Sequence, residues 1–178
     1  MGMSYDVDRR AAEAEFRTIF SHLAAITAYA RRRGSLDADG LAAEVMTIAW
    51  RRLADVPKDD PLPWLYGTTR NLVLVEARRT SRLAANGSLP EPAAEAPLSS
   101  ELDPELADAV RSLAEIDREA LLLVAWEDLS PTQAARVLGI NPAAFRVRLF
   151  RARRRLRTRL EQPAEPEASL TRLDVEGT

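Results

Sequence analysis

The helix start and stop signals between Ser130 and Pro142 constrain the fold of this chain more than any other feature of its sequence. The run Ser130-Pro131-Thr132-Gln133 combines a capping box with a proline at the first helical position, so it predicts a helix start. Gly139 predicts the end of that helix, and Asn141-Pro142 supplies the cap and the first residue of the next one. Two helices joined by so short a turn are typical of a helix-turn-helix.

The second of these predicted helices carries arginine without any acid along most of its length. Residues 146–160 contain eight arginines. On a helical wheel they flank one apolar stripe, formed by Phe145, Leu149, Ala152, Leu156 and Leu160. Such a helix can pack one face on its own domain and point guanidinium groups away from it, as phosphate recognition requires. A merely solvated face would include acidic partners at i+4 spacing, so we interpret this helix as a nucleic-acid contact.

The overall charge of the chain hides this basic block. The 178 residues have a formal net charge of -2. Residues 146–160 contribute +8, whereas residues 86–110 contribute -6 and residues 161–178 contribute -4. We interpret the proline-rich stretch 86–103 as an acidic linker and residues 161–178 as an acidic, disordered tail, because neither stretch has much to bury.

Composition excludes several classes of chemistry. There are no cysteines and only one histidine, His22, which excludes disulfides, thiolate catalysis and multi-histidine metal sites. No acid–base or nucleotide-binding motif is present, so the sequence predicts neither an enzyme nor a cofactor or metal site. No apolar run approaches the length of a membrane span, and a cytoplasmic protein is expected.

The predicted fold is all-α, with two small helical domains on a flexible linker. Helical periodicity dominates, and the alternation typical of strands is absent. The N-terminal domain is expected over 8–85 and the C-terminal domain over 104–160. Their predicted helices lie at about 8–33, 38–54 and 64–83, with a loop over 55–63, and then near 104–115, 117–128, 131–138 and 142–160.

Several motifs together resemble a known family. Leu129 to Ile140, followed by Arg148-Leu149-Phe150-Arg151-Ala152-Arg153, resembles region 4 of bacterial RNA polymerase sigma factors. Leu41 to Trp50 is similar to region 2.2 of the same family, and Pro63 to Arg79 is similar to regions 2.3 and 2.4. The resemblance covers about residues 10–83 and 104–160. It is closest to the extracytoplasmic-function (ECF) type, which keeps only regions 2 and 4.

This resemblance implies a sigma factor that binds core RNA polymerase and directs promoter-specific initiation. The implied polymerase contacts are the β′ clamp helices and the β flap, with an anti-sigma factor as a further candidate partner and no membrane partner. Region 4 would read the −35 element, with DNA contacts from Ala143, Ala144, Arg146, Val147, Arg148, Arg151, Arg153, Arg154 and Arg155. Region 2 would recognise and open the −10 element through Trp64, Arg70, Asn71, Arg78 and Arg79. The implied polymerase-binding residues are Leu41, Glu44, Val45, Ile48, Trp50 and Arg51.

Some positions depart from the family pattern or have a simpler interpretation. Gly40 stands where the family usually has a carboxylate, and Val75 stands where it often has Asp or Asn. Core packing is the preferred interpretation of Trp64. The carboxylates Glu115, Asp117 and Glu119 lie at a predicted helix start, where pairing with the helix dipole accounts for them.

Two other functions remain open at this point. A stand-alone helix-turn-helix regulator would use the basic helix without polymerase and leave the N-terminal domain for a ligand or dimer contact. A sigma-like mimic would instead sequester an anti-sigma protein. The segment from Trp64 to Arg79 argues against the first alternative, and the eight arginines argue against the second.

Overall fold

The structure is a computed structural model, and it describes residues 3–85 and 102–161. Most of the predicted linker and nearly all of the predicted tail lie outside these ranges. Helices account for 80% of the structure, and no strand occurs among the described residues, which confirms the predicted all-α class. The helices are α1 (Met3–Phe20), α2 (Leu23–Arg32), α3 (Ala38–Arg51), α4 (Leu62–Ala85), α5 (Pro104–Arg111), α6 (Glu115–Ala125), α7 (Pro131–Leu138) and α8 (Pro142–Glu161).

Helices α1 to α4 form an N-terminal bundle whose centre is α3. Its buried face presents Leu41, Ala42, Val45, Met46 and Ala49 to the neighbouring helices. Their spacing follows the helical period, so one face of α3 enters the core while the other stays in solvent. The N-terminal cap of α3 is Asp37, whose carboxylate accepts a 2.9 Å hydrogen bond from the Gly40 amide.

The single helix predicted over about 8–33 is wrong, because the structure has two helices there. Helix α1 ends at Phe20 and α2 begins at Leu23. At the break the His22 amide donates a 3.1 Å hydrogen bond to the Ile19 carbonyl, three residues back, and the Ser21 hydroxyl donates a 2.6 Å hydrogen bond to the Thr18 carbonyl. The break redirects the chain, and Gly34, at φ 81°, then ends the segment after α2 as its sequence predicts.

Helices α5 to α8 form a C-terminal bundle, in which two predicted helices are shorter than expected. Helix α5 stops at Arg111, where the Ser112 hydroxyl donates a 2.7 Å hydrogen bond to the Ala109 carbonyl. Helix α6 ends at Ala125, and the left-handed backbone of Asp128, at φ 50°, rules out continuation to residue 128.

The two bundles pack directly against each other. Tyr29 of α2 and Tyr66 of α4 lie in one apolar cluster with Leu123, Val137 and Leu138 of the C-terminal bundle. The tyrosine ring centroids are 4.7 Å apart, a distance typical of stacked or tilted aromatic pairs. The N-terminal bundle therefore contributes residues to the core of the C-terminal one.

Candidate nucleic-acid interface

The turn that leads into α8 has the geometry that its sequence predicts. The Ser130 hydroxyl accepts a hydrogen bond from the Gln133 amide, and the Gln133 side chain accepts one from the Ser130 amide at 2.9 Å. Gly139 ends α7 in the left-handed region at φ 66°. The Asn141 side chain then accepts a 2.7 Å hydrogen bond from the Ala143 amide, which caps the start of α8. Helices α7 and α8 form a helix-turn-helix.

Helix α8 buries one face and exposes the rest. Phe145, Leu149 and Ala152 are buried against α6 and α7, as predicted. Leu160 was expected in the same stripe, but that expectation is wrong, since its side chain is 38% exposed. Of the nine residues predicted to contact the −35 element, eight are exposed and Arg148 is half-buried.

Two of the eight arginines are tied to a carboxylate of α6. Asp117 is only 5% exposed, and Arg148 Nη1 donates to its Oδ1 at 3.1 Å. Arg155 donates to the other oxygen of the same carboxylate. One buried acid therefore holds two points on α8 that lie two helical turns apart. This fixes the orientation of α8 on its domain.

The other arginines of α8 point away from the bundle. None of them forms an ion pair with another residue in the described ranges; they are Arg146, Arg151, Arg153, Arg154, Arg157 and Arg159. An open groove of about 430 Å³ lies among Arg151, Arg154, Arg155, Thr158 and Arg159. Arginine side chains on a rigid rod, free of internal acids, can neutralise phosphates.

The predicted −10 residues lie on α4, where the structure exposes some and covers others. Asn71, Arg78 and Arg79 are exposed. Trp64 is half-buried against the N-terminal core, as the core-packing interpretation predicts, and the Arg52 guanidinium lies 5.8 Å from its ring centroid. Trp64, Asn71 and Arg70 also line a cleft of about 310 Å³ whose other wall is the end of α7.

Arg70 is held by a carboxylate of the C-terminal bundle. Its Nε donates to Glu119 Oε1 at 2.7 Å and its Nη2 to Oε2 at 3.0 Å. Arg33 of α2 donates to the same carboxylate, which is 2% exposed. The hydrogen bonds from Arg70 raise the pKa of its guanidinium. Glu119 thus joins two helices of the N-terminal bundle to α6.

The interpretation of Asp117 and Glu119 as helix-dipole residues is therefore incomplete. Both lie in the early turns of α6, but both are buried and paired with arginines. One sequence signal could have revealed this for Glu119. It lies four residues before the buried Leu123, on the apolar face of α6, where an acid is expected only with a partner.

Further polar contacts cross between the bundles. Arg32 makes three hydrogen bonds to Glu127, at 2.7 to 3.0 Å. Asp60 accepts from the Gln133 side chain at 3.2 Å and from Arg136 at 3.4 Å. Sequence reasoning identified none of these pairs, since their members are 73 or more residues apart in the chain.

The six predicted polymerase contacts on α3 divide into two groups. Leu41 and Val45 lie in the core of the N-terminal bundle in this structure, and their contact with polymerase stays a prediction. They form the inward face of an amphipathic helix, and a docking partner reaches only the outward face. Ile48 is half-buried, while Glu44, Trp50 and Arg51 are exposed.

The outward face of α3 adjoins aromatic residues that the sequence prediction omitted. Trp50 is 42% exposed, and its ring meets Phe16 of α1 edge to face at 5.1 Å. Phe16 in turn lies 6.0 Å from Phe20, which is also exposed. Partly exposed aromatics are typical anchors of protein–protein interfaces.

Two features are absent from residues 3–85 and 102–161. No group of three or more His, Asp or Glu side chains there is arranged to hold a metal ion. None of the helices in those ranges combines the length and the apolar character needed to cross a bilayer.

Family models match both bundles in chain order. A model described as Sigma-70 region 2 matches residues 19–83, and one described as Sigma-70, region 4 matches residues 104–156. Together they cover about two thirds of the chain. The chain belongs to the sigma-70 family of RNA polymerase sigma factors. Sigma factors are regulatory subunits that bind core RNA polymerase and promoter DNA.

Curated relatives of this sigma factor carry the same description. The chain is 34% identical over 137 residues to the probable RNA polymerase sigma factor RfaY of Xanthomonas campestris pv. campestris. That match covers 70% of the chain but 34% of RfaY, so the chain spans about a third of that relative's length. The RNA polymerase sigma factor CnrH of Cupriavidus metallidurans is 29% identical over 147 residues, which cover 72% of the chain and 76% of CnrH.

Solved structures of ECF sigma factors share the fold of this one. CnrH in complex with the cytosolic domain of CnrY superposes with a TM-score of 0.58 at 26% identity, covering 86% of the chain and 94% of that protein. RpoE in complex with the anti-sigma factor NepR, from Bartonella quintana, gives a TM-score of 0.61 at 25% identity, with 83% and 96% covered. The combination of regions 2 and 4 places this sigma factor in the ECF type.

Proposed function

We propose that this chain directs promoter-specific initiation in the cytoplasm by binding core RNA polymerase, reading the −35 element with α8 and opening the −10 element with α4. The observation that carries the proposal is the outward face of α8, the second helix of a correctly capped helix-turn-helix, where six arginines have no ion-pair partner among the residues that the structure describes. Region 2 would occupy 8–85 and region 4 would occupy 104–160. The chain would act without a cofactor or catalytic chemistry of its own.

The α8 arginines have two different roles in the proposed −35 contact. Arg148 and Arg155 hold the helix on Asp117, so they orient it. Arg146, Arg151 and Arg154 project outward and are positioned for phosphates and base edges of the major groove. Each phosphate that is neutralised releases condensed counterions, which makes binding steeply salt-dependent.

The −10 contact requires the two bundles to separate. Elements centred about 25 base pairs apart lie about 85 Å apart at 3.4 Å per base pair. The bundles of the free chain are in van der Waals contact through Tyr29 and Tyr66, so they cannot reach both elements in that arrangement. Arg70 must also exchange Glu119 for a phosphate before it can contact DNA.

Core polymerase would dock on the outward face of α3. Glu44, Trp50 and Arg51 form that face, and Phe20 extends it onto α1. An anti-sigma protein is a further candidate partner. Of the two solved neighbours named above, RpoE is in complex with the anti-sigma factor NepR, and CnrH is in complex with the cytosolic domain of CnrY. The β flap is the proposed partner of region 4.

Reconstituted transcription tests the function. The purified chain is added to core polymerase with a promoter library randomised at both elements, and transcripts are sequenced. We expect core-dependent transcripts from templates that share two elements. Arg151→Ala should reduce their yield, while Arg17→Ala, which removes an exposed arginine of α1, should not. Specific duplex binding without core-dependent transcripts would indicate a stand-alone regulator and contradict the proposal.

A further inference from the structure

The outermost stripe of α8 is apolar, although it runs through the most basic surface of the protein. Val147 is 50% exposed and Phe150 is 68% exposed. At 3.6 residues per turn, Ala143, Val147 and Phe150 fall within a sector of about 60°, opposite the buried Phe145 and Leu149. We call these three residues the apolar stripe. They are the part of α8 farthest from its own bundle.

Arginines border the apolar stripe on both sides. Arg146 lies on one edge and Arg151 on the other, while Arg154 continues the line toward the C-terminus. Scattered exposed apolar side chains are ordinary, but three in register at the centre of an arginine face form a continuous surface. The surrounding charge selects an anionic partner, and the stripe requires that partner to present hydrocarbon at the middle of the contact.

DNA has one group that meets both requirements in the groove that admits a helix. In the major groove the C5-methyl group of thymine is the apolar feature of the base edges, and small or aromatic side chains contact it. Phosphates line both sides of the groove at the positions where flanking arginines would reach them. We propose that Ala143, Val147 and Phe150 read thymine methyl groups of the −35 element, an inference that rests on the proposed function.

The position of the stripe within α8 supports this assignment. Recognition helices contact base edges with their N-terminal residues, and Ala143 and Val147 lie in the first two turns after the cap at Asn141. None of the three side chains can form a hydrogen bond with a base. Specificity at these positions must then come from hydrocarbon contact, and guanine would be read by Arg146 or Arg151 instead.

The test uses the holoenzyme and the promoters that the library recovers. Each thymine of the −35 element is replaced in turn by deoxyuridine, which removes only the methyl group. At a contacted position we expect binding to weaken about fourfold, the value of one buried methyl-sized group. The Val147→Ala or Phe150→Ala variant should bind thymine and deoxyuridine equally there. Neither variant should change the salt dependence, because neither removes charge.

A matched control and four outcomes separate the possibilities. Leu36→Ala removes an exposed apolar side chain of the N-terminal bundle and should keep the full deoxyuridine effect. Failure to recover any promoter would overturn the proposed function and this inference with it. Recovered promoters that tolerate deoxyuridine everywhere within twofold would overturn the methyl reading alone. A deoxyuridine effect that persists at every position in both variants would assign the methyl contact to other residues and overturn the role of Val147 and Phe150. Loss of core polymerase binding in the variants, without a deoxyuridine effect, would make the stripe a protein-docking surface.

Discussion

The two surfaces proposed to contact promoter DNA differ in how accessible they are. On α8 six of the eight arginines are free of ion pairs within the described chain, and Asp117 holds only Arg148 and Arg155. On α4 the arginine nearest the base-contact candidate Asn71 is Arg70, which is locked to Glu119 of the other bundle. Arginine side chains are therefore accessible to a partner on α8, whereas Arg70 on α4 is not.

This difference comes from two acids that stand two residues apart on α6. Asp117 pairs within its own bundle and orients α8 without covering its outer face. Glu119 pairs across the domain boundary and covers part of α4. In the free chain, therefore, the proposed −35 surface is accessible, whereas on the proposed −10 surface Arg70 is held by Glu119 and Asn71, Arg78 and Arg79 are exposed. The following substitutions test the two surfaces, and the contact between the bundles, one at a time.

Glu119→Gln should have the largest effect on stability. It leaves Arg33 and Arg70 without their anionic partner in a largely buried site, where removal of one partner costs about 3–5 kcal/mol. We expect a lower urea midpoint and a larger radius of gyration by small-angle X-ray scattering. Glu115→Gln, an exposed carboxylate of the same helix, is the control. Equal compactness of the two variants would show that Glu119 does not hold the bundles together.

Arg151→Ala should mainly affect DNA binding. The side chain is exposed and unpaired in the described chain, so its loss should leave the thermal midpoint unchanged. The slope of log affinity against log salt should fall by about 1, as for one lost phosphate contact. Titration of a promoter duplex at several salt concentrations measures this slope. An unchanged slope would remove Arg151 from the interface.

Arg148→Ala should show the opposite pattern. It removes the 3.1 Å hydrogen bond that Arg148 donates to the buried Asp117, which keeps Arg155 as a partner, so the thermal midpoint should fall by the equivalent of about 1–3 kcal/mol. The salt slope should change less than in Arg151→Ala, since Arg148 orients the helix. A slope reduced as far as in Arg151→Ala, with full stability, would make Arg148 a DNA contact and not an orienting residue.

The two interface tyrosines should show the smallest effects. Burial raises the pKa of the Tyr66 hydroxyl, and a hydrogen bond to Glu127 acts in the same direction. Tyr66→Phe should therefore cost about 1 kcal/mol. The buried Tyr29 hydroxyl makes no hydrogen bond to any described residue, so Tyr29→Phe should be neutral or slightly stabilising. Differential scanning calorimetry compares the pair, and equal losses would contradict this assignment.

The local features of the fold were predictable, whereas the contacts across it were not. The caps at Ser130, Gly139 and Asn141 depend on residues within three positions of one another, and the structure has each of them as predicted. The amphipathic face of α8 follows from spacing in the same way. The break between α1 and α2 lies at Ser21 and His22, where neither glycine nor proline marks it in the sequence.

The sequence pattern predicts which face of a helix is exposed, and the candidate sites were predictable only to that extent. Leu41 and Val45 match the family's docking helix in sequence, but their apolar spacing already indicates the core. Arg70 matches the −10 segment, but its partner Glu119 lies 49 residues away and depends on how the bundles pack. No local signal specifies that packing.

The distance between the two bundles tests the central claim most directly. The chain has no cysteine, so Ala14→Cys and Thr132→Cys introduce one exposed dye position on each bundle. Energy transfer is measured in the free chain and again in the transcribing complex with core polymerase and a recovered promoter. We predict high transfer in the free chain and a separation greater by tens of ångströms on the promoter, as the spacing of the two elements requires. Promoter-specific transcription with an unchanged dye distance would contradict the claim that the bundles must part.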